Sequence, residues 1–176
     1  MSFSSSPLVS PQLVTKHVGI GELELAHGAS LLQANLGSCL GIAVIWPEKG
    51  VCALSHVLLP HKNEKTDLRF SRYANTAVAH LIRRMKVPRD DVQHLSAIIA
   101  GGAAMFERNR GVGAQNIKEG LQALREARVR LIARDVGGEV GRRLLIDCHA
   151  LKVSSIRLLK NETEEQEWTI RPRRKR

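Results

Sequence analysis

Apolar and polar positions divide this chain into short segments with two different periods. Val18, Ile20, Leu23 and Leu25 mark a strand across 14–26, interrupted by glycine, and His27-Gly28-Ala29-Ser30 reads as a turn. Leu31 to Leu36 mixes apolar and polar residues, and Gly37 and Ser38 then bend the chain. The continuous apolar run Leu40 to Trp46 predicts a buried strand, and Val51 to Leu59 predicts another, stopped by Pro60. The short Pro47-Glu48-Lys49-Gly50 connection makes those two a hairpin.

Beyond residue 70 the period changes. Tyr73, Ala74, Ala77, Val78, Leu81, Ile82 and Met85 recur at three- and four-residue steps, one face of an amphipathic helix with Arg83, Arg84 and Lys86 in its last turn. Leu95 to Phe106 reads as a strand broken at Gly101-Gly102. A second helix is expected from Asn116 to about Arg128, a strand over 129–133, and one or two closing strands over 144–159. This order predicts an α/β fold: a single-domain layered sandwich of mixed β-sheet with helices packed on one side. The expected division is a flexible lead-in over 1–12, one domain over 13–160 and a disordered basic tail over 161–176.

Composition narrows the classes. The 176 residues are 43% hydrophobic but only 3% aromatic, so aliphatic side chains must fill the core. The net charge is +10, and Arg171, Arg173, Arg174, Lys175 and Arg176 carry half of it. No aromatic residue interleaves with those charges, so the tail is read as a solvated end and not as a nucleic-acid site. The longest nearly apolar run, Ala97 to Phe106, is half of what a membrane-spanning helix needs, and no membrane insertion is expected. The Ser/Pro-rich start does not read as a signal peptide. Cys39, Cys52 and Cys148 are therefore taken as reduced thiols of a cytoplasmic protein, with no CxxC spacing to suggest a metal.

One pair of residues carries a chemical proposal. Cys39 lies in Leu36-Gly37-Ser38-Cys39-Leu40-Gly41, and His56 lies seventeen positions on, inside the next strand of the hairpin. A thiol attacks as its thiolate, and an imidazole can generate that thiolate and later protonate a leaving group. Gly37 and Gly41 would leave the backbone open to a substrate carbonyl, and N–H groups around Ser38 and Cys39 could hold an oxyanion. Packing is the ordinary alternative for either residue, as it is for Cys52 and Cys148, which are read as core.

These residues, with Gly19-Ile20-Gly21-Glu22, Ser55-His56-Val57-Leu58-Leu59-Pro60, Tyr73-Ala74-Asn75-Thr76-Ala77, Gly101 to Phe106 and Asp135-Val136-Gly137-Gly138 with Gly141-Arg142, resemble the chemoreceptor glutamine deamidases of the CheD family. The resemblance covers residues 15 to 160. It implies a protein-glutamine deamidase that converts receptor glutamines to glutamates through a cysteine nucleophile, Cys39, and a histidine, His56, with no cofactor and no metal. It also implies a single α/β domain similar to toxin-type cysteine deamidases. The implied partners are chemoreceptor cytoplasmic helices as substrate, and family members can bind a CheC-type phosphatase. The family usually carries a threonine six positions before the cysteine to orient the histidine; Gln33 stands there, and its carbonyl is expected to take over the imidazole N–H. A receptor-binding module without chemistry and a receptor glutamyl methylesterase are the alternatives.

Overall fold

The computed structural model describes residues 12–62, 70–105 and 110–172. The lead-in up to Pro11 and the last four residues of the basic tail lie outside the described residues.

The chain forms two five-stranded sheets and two helices. The first sheet contains β1 (Val14–His17), β3 (Ser30–Leu36), β8 (Arg142–Asp147), β9 (Lys152–Leu158) and β10 (Thr163–Thr169), in the order β1-β3-β8-β9-β10. The second contains β2 (Leu23–His27), β4 (Leu40–Trp46), β5 (Val51–Val57), β6 (Ser96–Gly101) and β7 (Arg130–Val136), in the order β2-β5-β4-β6-β7. Both sheets are mixed: β1 runs parallel to β3 and β6 parallel to β7, and the other pairs are antiparallel.

Each β4 residue is buried because β4 sits at the centre of the middle layer. Leu40, Ile42, Val44 and Trp46 face α1 (Ala74–Arg84) and α2 (Arg110–Glu126), joining a core with Ala77, Val78, Leu81 and Leu124. Ala43 and Ile45 face the other sheet, in a second core with Leu32, Ala34, Leu144 and Ile146. The layers are therefore sheet, sheet and helices, with all helical packing on one side, as the alternating apolar pattern predicts. Among the described residues no helix is long and apolar enough to cross a membrane.

Three boundaries differ from expectation. The glycine-interrupted strand over 14–26 is two strands, β1 and β2, because Gly19 to Glu22 turn the chain from one sheet to the other. Helix α2 begins six residues before Asn116, with Gly111 and Gly113 in its first turns. The tail expected from 161 is in part a strand: Thr163–Thr169 pairs with β9 over its whole length. Two of its three acidic residues are matched across the ladder, Lys152 Nζ to Glu167 Oε1 at 2.8 Å and Arg157 Nη1 to Glu164 Oε2 at 3.3 Å, and Ile170 is buried at its end.

Candidate active site

Two sheet-to-sheet corners meet at one end of the sandwich. Gly37-Ser38-Cys39 carries the chain from β3 to β4, and Val18 to Glu22 carries it from β1 to β2. Beside them lie the end of β5, the segment after β6, and the turn after β7.

The Cys39 corner is anchored by its carbonyls. The Ala103 N–H donates to Gly37 O at 2.8 Å, and the Gly102 N–H donates to Cys39 O at 2.7 Å. The Asn116 Nδ2 donates to Ser38 O at 3.2 Å and to Leu58 O at 3.1 Å. All three carbonyls of the corner are thus held. Among the described residues no acceptor takes the Ser38 or Cys39 N–H. A trans peptide points its N–H opposite its carbonyl, so these two donors face away from the groups that hold the corner.

Gly101 makes the anchoring possible. Its φ is +103°, and a Cβ there would stand 2.3 Å from Cys39 O. Gly101→Ala should therefore cost about 1–3 kcal/mol in backbone strain alone. Because the displaced group carries Cys39, turnover should fall by up to about 10²-fold. Thermal melting and receptor-fragment turnover, measured on the same preparation, check both.

His56 is clamped on every side of its backbone and at one ring nitrogen. Gly21 N–H donates to His56 O at 2.7 Å, and His56 N–H donates to Glu22 O at 3.0 Å. Its Nδ1 lies 3.0 Å from Val18 O. A carbonyl can only accept, so Nδ1 carries the proton and Nε2 keeps its lone pair. That Nε2 is buried and has no hydrogen-bond partner among the described residues.

His56 is the cross-strand partner of Gly41, and Cys39 precedes Gly41 by two residues. Continuing the β4–β5 ladder makes Cys39 and His56 diagonal neighbours on the same sheet face. Cys39 is 7% and His56 3% exposed. Burial pushes the Cys39 thiol above its ordinary 9.0. Burial also pulls His56 below its ordinary 6.5, against the opposing pull of the Val18 carbonyl and the Glu22 charge. Both shifts favour the neutral thiol and the neutral imidazole over a standing ion pair.

This sets a pH dependence. The unfolded imidazole takes up a proton near 6.5, while the folded one refuses it until lower pH. The contribution to stability is complete above 6.5 and is lost as pH falls from there through the folded value. Denaturant midpoints across that range should show this loss in the parent chain and not in His56→Phe, and the acid limb of turnover should lie below 6.5.

Gln33 does not stand where the expectation placed it. Leu32, Ala34 and Leu36 fill the inner face of β3, so Gln33 lies on the outer face by strand alternation. Its link to the site is main-chain: Gln33 O accepts the Val18 N–H at 2.8 Å. The acceptor on the His56 Nδ1 is the Val18 carbonyl, not the Gln33 carboxamide. Gly41 also differs from expectation. It is buried, and a Cβ on it would meet Leu36 Cδ1 at 2.8 Å and Leu144 Cδ2 at 2.9 Å, so the approach it permits is that of the opposing sheet and not of a substrate. Gly37 is approached by Met105, whose Sδ would be 2.7 Å from a Cβ there.

Sequence reasoning missed three supports. Val18 acts through its main chain, which leaves no signature in residue type. Asn116 was read only as a helix start, although a lone asparagine on the buried face of a helix is itself a signal. Asp135 entered only as part of the Asp135-Val136-Gly137-Gly138 motif. Its side chain is fully buried and contacts Arg142 Nε at 3.0 Å and Arg157 Nη2 at 2.7 Å, and it accepts from Ser155 Oγ at 2.8 Å. Burial alone would raise its carboxyl, but Arg157, Ser155 and Arg142 together hold it below the ordinary 3.8. Arg142 in turn donates to Gly101 O at 3.2 Å and Gly137 O at 2.8 Å, which ties this charge cluster to the glycine pair supporting Cys39. Cys52 and Cys148 are both buried between the sheets, with Cys148 Sγ 3.1 Å from Ala26 O. Among the described residues no cluster of His, Cys, Asp and Glu could hold a metal.

Comparison with known proteins agrees with the motif arrangement. Residues 58–157 match the family model described as CheD chemotactic sensory transduction. That match begins just after His56, so it identifies the family and does not itself speak to the Cys39–His56 pair. A Bdellovibrio bacteriovorus protein named probable chemoreceptor glutamine deamidase CheD is 34% identical over 138 residues, covering 76% of this chain and 88% of its own. The Thermotoga maritima chemoreceptor glutamine deamidase CheD is 36% identical over 129 residues, covering 72% of this chain and 82% of its own. An Oceanobacillus iheyensis relative with the same probable name is 29% identical over 163 residues, covering 88% of this chain and 98% of its own. With a family match of that length and relatives of that identity, the chain belongs to the CheD family.

Proposed function

We propose that this protein deamidates glutamine side chains of chemoreceptors, with Cys39 as nucleophile and His56 as general base and acid. The observation that carries the mechanism is the His56 tautomer. Val18 O takes the Nδ1 proton, leaving a bare, buried Nε2 on the sheet face that bears Cys39. The relatives' names supply the substrate class.

The reaction follows from those groups. As the Cys39 Sγ attacks the glutamine carboxamide carbon, its proton passes to His56 Nε2. The carbonyl electrons move onto oxygen, and the Ser38 and Cys39 N–H donors hold that oxyanion. The C–N bond then breaks, and the imidazolium gives its proton to the departing ammonia, leaving a thioester. Water attacks the thioester as His56 Nε2 takes its proton. The C–S bond breaks, the proton returns to sulfur, and glutamate is released. Each step uses one proton and the residues of this chain alone.

The motive for the binding-module alternative is Gln33, which stands where the family usually has a threonine. The Val18 carbonyl on Nδ1 supplies the imidazole with an orienting partner, which favours the enzymatic reading. A receptor substrate of this kind presents its glutamines on cytoplasmic helices, so the cytoplasm is the proposed place of action. The test is incubation of a receptor cytoplasmic fragment with the protein, followed by peptide mass spectrometry. Conversion of specific glutamines to glutamates supports the reading. Unchanged glutamines, or hydrolysis of glutamyl methyl esters alone, would refute it.

A further inference from the structure

We infer that Asn116 is a positioning residue: it fixes the Ser38–Cys39 peptide so that the Cys39 N–H serves as an oxyanion donor. The inference rests on the deamidase reading above and adds a residue to it.

Asn116 is fully buried on the inner stripe of α2, with Gly113, Gly120, Ala123 and Leu124. The glycines let the helix come close. A Cβ on Gly113 would stand 2.5 Å from Gly102 O, and one on Gly120 would stand 2.6 Å from Leu40 Cδ2. This approach brings the Asn116 amide between two strand ends, where it donates to Ser38 O and Leu58 O. Both partners are carbonyls, so the amide orientation is settled: the nitrogen must face them.

The Oδ1 on the other side is buried without a partner among the described residues. The buried Oδ1 left unsatisfied costs stability and offsets part of what the two donated bonds contribute. What the amide does supply is direction. The Ser38 carbonyl is drawn toward α2, and the Cys39 N–H, on the same planar peptide, is turned the opposite way. Ala103 does the same for the Ser38 N–H through Gly37 O, but with a backbone donor. Asn116 is the side chain that controls one of the two donors, while its second bond, to Leu58 O, ties the Cys39 corner to the chain just beyond His56.

Two reactions of Cys39 separate this role from general support. Deamidation of a receptor cytoplasmic fragment passes through an oxyanion. Alkylation of the Cys39 thiol by iodoacetamide displaces iodide at a saturated carbon and needs no oxyanion donor. In Asn116→Leu, kcat for deamidation should fall by about 10²-fold with little change in KM, as expected for losing one oxyanion donor. Cys39 alkylation should stay near that of the parent chain, while the melting temperature should drop by only a few degrees, because Ser38 O and Leu58 O lose their donor. If Asn116→Leu does not fold, Asn116→Ser, smaller and still polar, is read in its place. Retained kcat overturns the role. So does a parallel loss of alkylation and deamidation, or failure of both variants to fold, since each makes Asn116 a structural residue. An inactive parent chain would instead overturn the deamidase reading on which the inference rests.

Discussion

Cys39→Ala is expected to abolish receptor deamidation, with turnover falling by roughly 10⁴-fold or more, to the background of the uncatalysed reaction. Neither Cys52 nor Cys148 can take its place beside His56: Cys52 pairs with Ala26 and Ile45 at the other end of β5, and Cys148 Sγ contacts Ala26 O and Gly50 O there. The fold should survive. Cys39 sits at a corner whose geometry is set by bonds to the carbonyls of Gly37, Ser38 and Cys39, and none of them involves its side chain. Circular dichroism and melting should therefore match the parent chain within a few degrees, while mass spectrometry finds no converted glutamine. Cys39→Ser should be nearly as inactive, because an alkoxide is far harder for a neutral His56 to generate than a thiolate.

Asp135→Asn should give the largest loss of stability. The substitution leaves the Arg142 guanidinium buried without its carboxylate and weakens the bonds from Arg157 and Ser155. Breaking one partner of a buried charge pair costs on the order of 3–5 kcal/mol, against 5–15 kcal/mol for a whole domain. Urea unfolding should show the loss as a lower midpoint with an unchanged slope. The pH dependence should change as well. The folded Asp135 carboxyl titrates below 3.8, so its contribution is present above that value and disappears as pH falls through the folded one. The Asn variant should lack that component of acid unfolding. Because Arg142 also holds Gly101 O, next to the Gly102 N–H that anchors Cys39, part of the activity should be lost with the stability.

How much of this was legible in the residues follows from what each residue has to do. The run Leu40 to Trp46 announced itself because both faces of β4 are buried, and α1 did so because only one of its faces is. The start of α2 was obscured by Gly111 and Gly113. Helix propensity argues against glycine there, but Gly113 is needed where the helix backbone meets Gly102 O. Strand β10 was hidden by its charge. Its Thr-Glu-Glu-Gln-Glu-Trp-Thr sequence lacks apolar alternation, and it is held at a sheet edge by Lys152 and Arg157.

The site was legible in its chemistry and less so in its supports. The cysteine and histidine stood out because glycines and a hairpin framed them. The Gln33 expectation could have been avoided from the sequence itself: once Leu32, Ala34 and Leu36 are taken as the inner face of a strand, Gln33 must face outward. Val18 could not be read as the acceptor on His56, since any residue type supplies a carbonyl. The oxyanion donors of Ser38 and Cys39 are main-chain groups too, and their direction depends on Ala103, Gly102 and Asn116, which lie more than sixty residues away in sequence.

The central claim is that Cys39 forms a thioester with a receptor glutamine while His56 moves the protons. Its most direct test is a quench of the full chain reacting with a receptor cytoplasmic fragment, followed by intact-mass and peptide analysis. His56→Ala in place of the parent chain should slow both formation and breakdown of the intermediate. The account predicts a transient covalent adduct on Cys39 that decays as glutamate appears at the substrate position. Glutamate formation by Cys39→Ala at the parent rate, or an adduct on Cys52 or Cys148, would contradict it.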